Sequence, residues 1–316
     1  MKFGEKMDIF PEIVPRKEFS EISDEPYFSA IEYINGKKED FKNIYVANKA
    51  ANTIKYSHLR KVSLMMKEFG FSKFIPIKGA MLLNTLFEKH QGIREMADID
   101  LLVHPEEFHK IPEFLNKNKE LKYVSRFSPT LRKHFGEELS FSLNSTLIEL
   151  HSTITLVKIK GLVEEIFEKS IEKANPDGEL FLTPPIEYTA IIMLLHDYSR
   201  GDFSDLTYKR LLEFYVVLFN SDFLKLKNIA EKYELDTMLN SHLFLIWTMI
   251  ENPFFNRYNF EIIEHFGLLK KDEEFRGFRV ENNSSFEKVL YGKRWKTLKL
   301  RNMATALFKA VAAGKN

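Results

Sequence analysis

The chain has 316 residues, of which 44% are hydrophobic and 29% are charged, and its formal net charge is +1. The composition is that of an ordinary globular protein, and the length suggests two domains or one large domain with an extension. The small net charge gives the whole molecule no general attraction to nucleic acid or anionic lipid, so any such attraction must be local. The chain has no cysteine, which excludes disulfide-linked partners, cysteine-ligated zinc, iron–sulfur clusters and thiol nucleophiles.

Neither the N-terminus nor any apolar run resembles a membrane-targeting segment. The opening residues MKFGEKMDIF lack the apolar stretch of a signal peptide. Apolar runs such as 190–195 and 243–247 are far shorter than the roughly 20 residues that cross a bilayer. We therefore expect a cytoplasmic protein without membrane contact.

Three regions follow one another along the chain. Residues 1–40 contain several prolines and are predicted to be an irregular N-terminal extension. Residues 41–183 mix helical and strand-like patterns and are predicted to form an α+β core. Residues 184–316 are predicted to form an all-helical C-terminal domain that ends in a basic segment, with the boundary near the Thr-Pro-Pro of residues 183–185.

The first elements of the core are a long helix and a short strand. Apolar residues recur every three to four positions from about Phe41 to Phe69, which predicts an amphipathic helix that Gly70 ends. Phe74–Ile77 then reads as a strand that runs into Lys78-Gly79 and a second helix.

The middle of the core reads as a buried strand, a helix and a hairpin. Residues Ile99–Val103 have the composition of a strand, and Pro105 is predicted to begin a third helix. Alternating runs on either side of Asn144-Ser145 are typical of a β-hairpin within 136–154. Beyond the core, four segments have a helical period: Ile186–Tyr198, Leu206–Asn220, Phe223–Lys232 and Leu235–Met249.

Two aspartates stand one residue apart in the stretch REMADIDLLV, residues 94–103. Because successive side chains of a strand point to opposite faces, Asp98 and Asp100 are predicted to share one face, with Ile99, Leu101 and Val103 on the other. Two buried carboxylates repel each other unless a cation offsets their charge. A divalent metal with oxygen ligands would do so, although Asp-x-Asp also occurs at edge strands and turns that bind nothing.

A third acid, Glu149, lies in the predicted hairpin on the same strand face as His151. If this strand neighbours the aspartate strand, Asp98, Asp100 and Glu149 form a three-carboxylate site for Mg²⁺ or Mn²⁺. Such a site can hold two metals, one carrying a triphosphate and one activating a hydroxyl. Glu149 could then accept the proton of that hydroxyl.

The junction of the first strand and the second helix has the features of a phosphate site. Free backbone N–H groups and the helix dipole attract anions there, Gly79 permits close approach, and Lys78 adds a positive charge. Arg94 could clamp a second phosphate. Taken singly, Lys78 could be a solvated strand end, and Arg94 could form a surface ion pair with Glu88 or Glu95; in combination they favour nucleotide binding.

These motifs, Ile77-Lys-Gly79, Arg94-Glu-Met-Ala-Asp-Ile-Asp-Leu-Leu-Val103 and Ile148-Glu-Leu-His151, resemble the uncharacterised bacterial nucleotidyltransferase-like family of the DNA polymerase β superfamily. The resemblance implies a mixed sheet flanked by helices and metal-dependent transfer of a nucleoside monophosphate from an NTP, with ATP expected, to an acceptor hydroxyl. It implies that Asp98 and Asp100 are metal ligands, that Glu149 is the third carboxylate, and that Gly79 begins the triphosphate loop. The loop departs from the superfamily's usual Gly-Ser or Gly-Gly, because Ala80 supplies no hydroxyl.

Three histidines are candidates for substrate contact. His151 stands beside Glu149, His196 lies on an apolar helix that also suits the family, and His134 precedes the hairpin. Each has a plain structural alternative: a partly buried strand histidine, a core histidine and a solvated loop residue, respectively. The acceptor stays open among a small hydroxylated molecule, a tRNA and a protein.

The segment 288–316 carries lysines and arginines but no acid. A basic amphipathic helix there could contact RNA phosphates, lie on an anionic membrane, or dock on the helical domain with its basic side in water. The last arrangement is the commonest one.

Two other functions fit the same residues. The chain could be a non-catalytic module that senses a nucleotide on the same fold, which the Gly-Ala loop favours slightly. It could also be a metal-dependent nuclease or phosphatase, which would use similar carboxylates without an NTP.

Overall fold

A computed structural model of the chain describes residues 42–124, 138–154, 159–175, 178–199 and 208–251. Its helices are α1 (Lys42–Phe69), α2 (Lys78–Thr85), α3 (Ile111–Lys117), α4 (Leu162–Lys169), α5 (Ile186–Ser199), α6 (Tyr208–Phe219), α7 (Phe223–Lys232) and α8 (Asp236–Glu251). Its strands are β1 (Phe74–Ile77), β2 (Ile99–Val103), β3 (Lys122–Tyr123), β4 (Glu138–Leu143), β5 (Thr146–His151), β6 (Ile171–Ala174) and β7 (Leu180–Thr183).

The centre of the molecule is a five-stranded mixed sheet in the order β1-β2-β5-β4-β3. Strands β2 and β5 run parallel, and the other neighbouring pairs are antiparallel. This confirms the predicted mixed sheet with flanking helices. Strands β6 and β7 form a separate two-stranded sheet, which the sequence patterns did not predict.

Burial follows the position of each strand in this sheet. All five residues of β2 are buried, so both of its faces are covered, as expected of a buried strand. Strand β1 lies at the end of the strand order. There it tolerates Pro76, since an edge strand does not need every N–H for a neighbour.

The β4–β5 hairpin confirms its turn signal. Asn144 and Ser145 both have positive φ, at 47° and 70°, between Leu143 and its cross-strand partner Thr146. A two-residue turn with positive φ at both positions matches the right-handed twist of the strands, and asparagine tolerates this conformation well. The turn therefore fixes the register that carries Glu149 and His151.

The third helix begins later than predicted. Pro105–Glu107 form a turn, a short 3₁₀ segment covers Phe108–Lys110, and α3 follows. The Glu107 carboxylate accepts hydrogen bonds from the backbone N–H groups of Ser72 and Lys73, both at 3.0 Å. Glu107 thus joins this turn to the start of β1 and does not cap a helix.

Beyond Thr183, the regular structure of the described residues is helical, from α5 to α8. None of the described helices is both long enough and apolar enough to cross a membrane. The division of the chain at residues 40 and 183 stays a prediction.

Candidate active site

The pairing of β2 with β5 brings two acids side by side. In this parallel pair Asp100 stands opposite Glu149, and Ile77 faces Asp100 from β1 on the other side. The prediction depended on the two strands being neighbours, and they are. Asp100 is 1% exposed, so its carboxylate needs partners inside the protein.

His151 lies two residues after Glu149 and completes a compact group. Its Nε2 is 2.8 Å from Asp100 Oδ1 and 3.7 Å from Glu149 Oε2. One ligand atom from each of Asp100, Glu149 and His151 lies within 4.8 Å of the others. Carboxylate oxygens and an imidazole nitrogen are suitable ligands for a divalent cation, so this donor set fits the metal that the sequence motifs imply.

Asp98 occupies a different environment from Asp100. It lies just before β2 and is half-buried, and it is not a member of this compact group. Burial and the neighbouring Asp100 carboxylate raise the pKa of Asp98, while the charges of Lys78 and Arg94 oppose the rise. Among the described residues, therefore, the closest set is two acids and a histidine, and the predicted three-carboxylate set is looser.

Lys78 contacts the acid directly. Its Nζ lies 2.6 Å from Asp100 Oδ1, the same oxygen that contacts His151. Burial works to raise the pKa of Asp100, but the hydrogen bonds from His151 and Lys78 hold it well below its usual range. Asp100 is thus a carboxylate whose charge is balanced by Lys78 and which also contacts His151.

The backbone at Lys78 is unusual for a residue with a side chain. Lys78 is the first residue of α2 and has a φ of 53°, in the left-handed region. Non-glycine residues in this region carry a conformational cost and are concentrated at functional sites. The chain accepts this cost at the strand-to-helix junction where the phosphate site was predicted.

Arg94 lies against Gly79 but has an unexpected partner. A Cβ added to Gly79 would lie 3.4 Å from Arg94 Nη2, so the guanidinium packs over the glycine. Arg94 Nη1 is 3.0 Å and 3.1 Å from the two carboxylate oxygens of Glu213 on α6. The predicted alternative, a surface ion pair with Glu88 or Glu95, is wrong: the pair is largely buried and joins the loop to the helices.

Two asparagines of α1 hold the loop that carries Arg94, and sequence reasoning missed both. Asn52 donates to the carbonyls of Gln91 at 2.6 Å and Arg94 at 2.7 Å, and its oxygen accepts from Met96 N at 2.8 Å. Asn48 donates to Gly92 O at 3.2 Å. The sequence did contain a signal for these two residues, because two asparagines four residues apart interrupt the apolar stripe of α1. Both are buried in the structure.

His196 lies on α5, where its side chain is 18% exposed. Burial lowers the pKa of His196, and the Lys78 charge lowers it further. The contact between His196 and Asp197, at 3.8 Å, acts in the opposite direction. The remaining predicted features, His134 and the basic segment 288–316, lie outside the described residues.

The sequence was compared with known proteins and protein families. No curated protein matches the chain at a significant level. A family model described as "Uncharacterised nucleotidyltransferase" matches residues 36–250, which is more than half of the chain and includes β1, β2 and β5. The chain therefore belongs to this uncharacterised nucleotidyltransferase family.

Proposed function

We propose that the protein is a metal-dependent enzyme that transfers a nucleoside monophosphate from an NTP to an acceptor hydroxyl and releases pyrophosphate. One observation carries the proposal. In a chain of a nucleotidyltransferase family, the compact group of Asp100, Glu149 and His151 lies beside the Lys78–Gly79 junction, a place suited to phosphate.

One group of residues in the site would bind a cation, and another would bind the nucleotide. Asp100, Glu149 and His151 would hold a divalent cation, with Mg²⁺ or Mn²⁺ proposed, and Asp98 lies close enough to respond to the same charges. When bound, such a cation supplies charge neutralisation at the transferring phosphate. The backbone at Gly79 and the side chain of Lys78 would bind the triphosphate at the start of α2.

Two further roles belong to the acceptor side. Glu149, which is less buried than Asp100, would accept the proton of the attacking hydroxyl. His196 on α5, whose side chain is 18% exposed, is the proposed contact for the acceptor. ATP is the proposed nucleotide, and the acceptor is a small hydroxylated molecule, a tRNA or a protein.

Labelling with nucleotide tests the proposal. The full chain would be incubated with each α-labelled NTP, Mg²⁺ or Mn²⁺, and a cell extract, and the labelled products would be separated. We expect one class of molecule to acquire label. Asp100→Asn should abolish this transfer, whereas Asp236→Asn, a change at an exposed aspartate of α8, should leave it unchanged. Failure of every NTP to bind at millimolar concentration in the presence of metal would contradict the proposal.

A second candidate function is a nucleotide-sensing module without turnover. The contact between Lys78 and Asp100 favours it, because it gives the acid a partner without metal, and so does the missing hydroxyl at Ala80. Asp100→Asn separates the two functions. A transferase with this change should stay folded but lose transfer of the label, whereas a sensor, which transfers no label, should show only altered nucleotide binding. A nuclease or phosphatase, the third candidate, would release product without any NTP.

A further inference from the structure

The Asp100 carboxylate is already neutralised by the protein itself. Lys78 Nζ lies 2.6 Å from Asp100 Oδ1, and His151 Nε2 lies 2.8 Å from the same oxygen. The Asp100 side chain is 2% exposed, so water contributes little to the stability of this charge. A cation that binds Asp100 Oδ1 must enter where the Lys78 ammonium already stands, and a cation on the other carboxylate oxygen lies close to the same ammonium.

A divalent cation and the Lys78 ammonium are therefore competitors. Metal–oxygen distances for such ions are about 2.0–2.6 Å, so an ion on Asp100 would lie close to an ammonium that stays on the same carboxylate. Like charges at this separation repel strongly, and more so in a buried site than in water. Full occupancy of the metal position requires Lys78 to leave.

The Lys78 ammonium can move away from Asp100 and bind a different anion. Its side chain is 23% exposed, unlike that of Asp100, and it begins α2 next to Gly79. A triphosphate at this helix start would offer the ammonium a new anionic partner of higher charge. The positive φ of Lys78, 53°, directs the chain sharply from β1 into α2 at this point.

We infer that Lys78 is a resident counter-ion of Asp100, and that it exchanges with a divalent cation when an NTP binds. The inference rests on the proposed function. Metal and nucleotide then enter as a pair: the NTP draws the ammonium away from Asp100, and the cation takes the vacated side of the carboxylate. In the absence of nucleotide, the site binds a divalent cation weakly.

Mn²⁺ binding to the full chain, followed by electron paramagnetic resonance, tests this exchange without relying on activity. The variants are Lys78→Met, which keeps the length of the side chain and removes its charge, and Lys78→Arg, which keeps the charge. Lys61→Met, at an exposed lysine of α1, is the matched control. Each would be titrated with Mn²⁺ alone and with Mn²⁺ plus a non-hydrolysable NTP analogue, and Asp100→Asn would show which signal belongs to this site.

Without nucleotide, we expect Lys78→Met to bind Mn²⁺ roughly tenfold or more tightly than the wild type, because a nearby positive charge is gone. Lys78→Arg and Lys61→Met should bind as weakly as the wild type. Addition of the analogue should increase the Mn²⁺ affinity of the wild type far more than that of Lys78→Met.

Two results would overturn the inference and leave the proposed function standing. One is tight, Asp100-dependent Mn²⁺ binding by the wild type without nucleotide. The other is equal Mn²⁺ affinity in the wild type and Lys78→Met while the analogue and Mn²⁺ still bind together. Absence of Mn²⁺ binding in every variant, with or without analogue, would instead remove both. Lys78→Gln replaces Lys78→Met if the latter does not fold, as judged by circular dichroism.

Discussion

Asn52 shows how much of the site's geometry depends on one side chain outside it. Its amide makes three hydrogen bonds to the backbone of residues 91–96, and its side chain is fully buried. Arg94 belongs to this loop and packs over Gly79. Asn52 is therefore a positioning residue, one step removed from the nucleotide.

We expect Asn52→Ala to lower the free energy of unfolding by about 2 kcal/mol or more, because buried backbone groups lose their partners. Urea denaturation measures this loss. Thr53→Ala, at the exposed neighbouring position, is the control and should change stability little. Asn52→Asp keeps an acceptor for Met96 N but no donors for the two carbonyls, so an effect as small as that of Thr53→Ala would contradict the assignment.

Gly92 is a second residue on which this loop depends, for a steric reason. A Cβ at Gly92 would overlap the carbonyl oxygen of Tyr45, which belongs to the backbone of α1 and cannot rotate away. We expect Gly92→Ala to cost about 1–3 kcal/mol, as overpacked sites do. Thermal unfolding measures the cost, and an unchanged melting temperature would show that α1 and the loop can separate easily.

At the scale of elements, the sequence patterns predicted best what depends on neighbours along the chain. The helix that ends at Gly70, the strand Phe74–Ile77, the strand Ile99–Val103 and the Asn144-Ser145 turn were all predicted, because each has a local periodic or turn signal. The late start of α3 was not, since Glu107 takes backbone partners at residues 72 and 73.

In the site, too, contacts between residues distant in the sequence were harder to predict than local structure. The proximity of Asp100 and Glu149 could be expected once two strands were assumed to pair. The partner of Arg94 could not, since Glu213 lies 119 residues away on a helix whose sequence carries no signal for this contact. Nor could the contact between Lys78 and Asp100, which depends on a turn with positive φ.

The ion pair of Arg94 and Glu213 joins the loop before β2 to α6, with side chains that are 14% and 5% exposed. Loss of one partner leaves the other as a buried charge, and we expect Arg94→Met or Glu213→Leu alone to cost about 3–5 kcal/mol. The double variant should cost less than the sum of the two. A double-mutant cycle in urea measures this coupling, and additive costs would show that the two side chains act independently.

At the scale of the whole molecule, the stability of the protein should depend on pH through a histidine among the helices. His242 on α8 is fully buried against Phe214, with its Nε2 3.5 Å from Asp197 Oδ2. Burial lowers the pKa of His242 to about 4, although the charge of Asp197 acts to raise it. The unfolded chain, with an ordinary histidine pKa of about 6.5, takes up this proton more readily than the folded one.

Stability should consequently fall as the pH drops from about 6.5 towards 4, by up to roughly 3 kcal/mol from this group. The comparison is the free energy of unfolding at pH 7 and pH 5 for the wild type, His242→Gln and the control His109→Gln, whose residue is exposed. His242→Gln should show a smaller decrease than the other two. Parallel pH dependence in all three proteins would contradict the assignment to His242.

The Arg94–Glu213 pair also governs how this chain can be recombined with its relatives. A chimera that keeps residues 42–183 and takes the helices α5 to α8 from another member of the family would keep Arg94 but lose Glu213. Unless the grafted helix offers an acid at the same place, the guanidinium would lose its counter-charge beside Gly79. Residues 42–183 and the helices that follow them therefore cannot be exchanged independently. A successful chimera must take the loop with Arg94 and the helix α6 with Glu213 from the same protein.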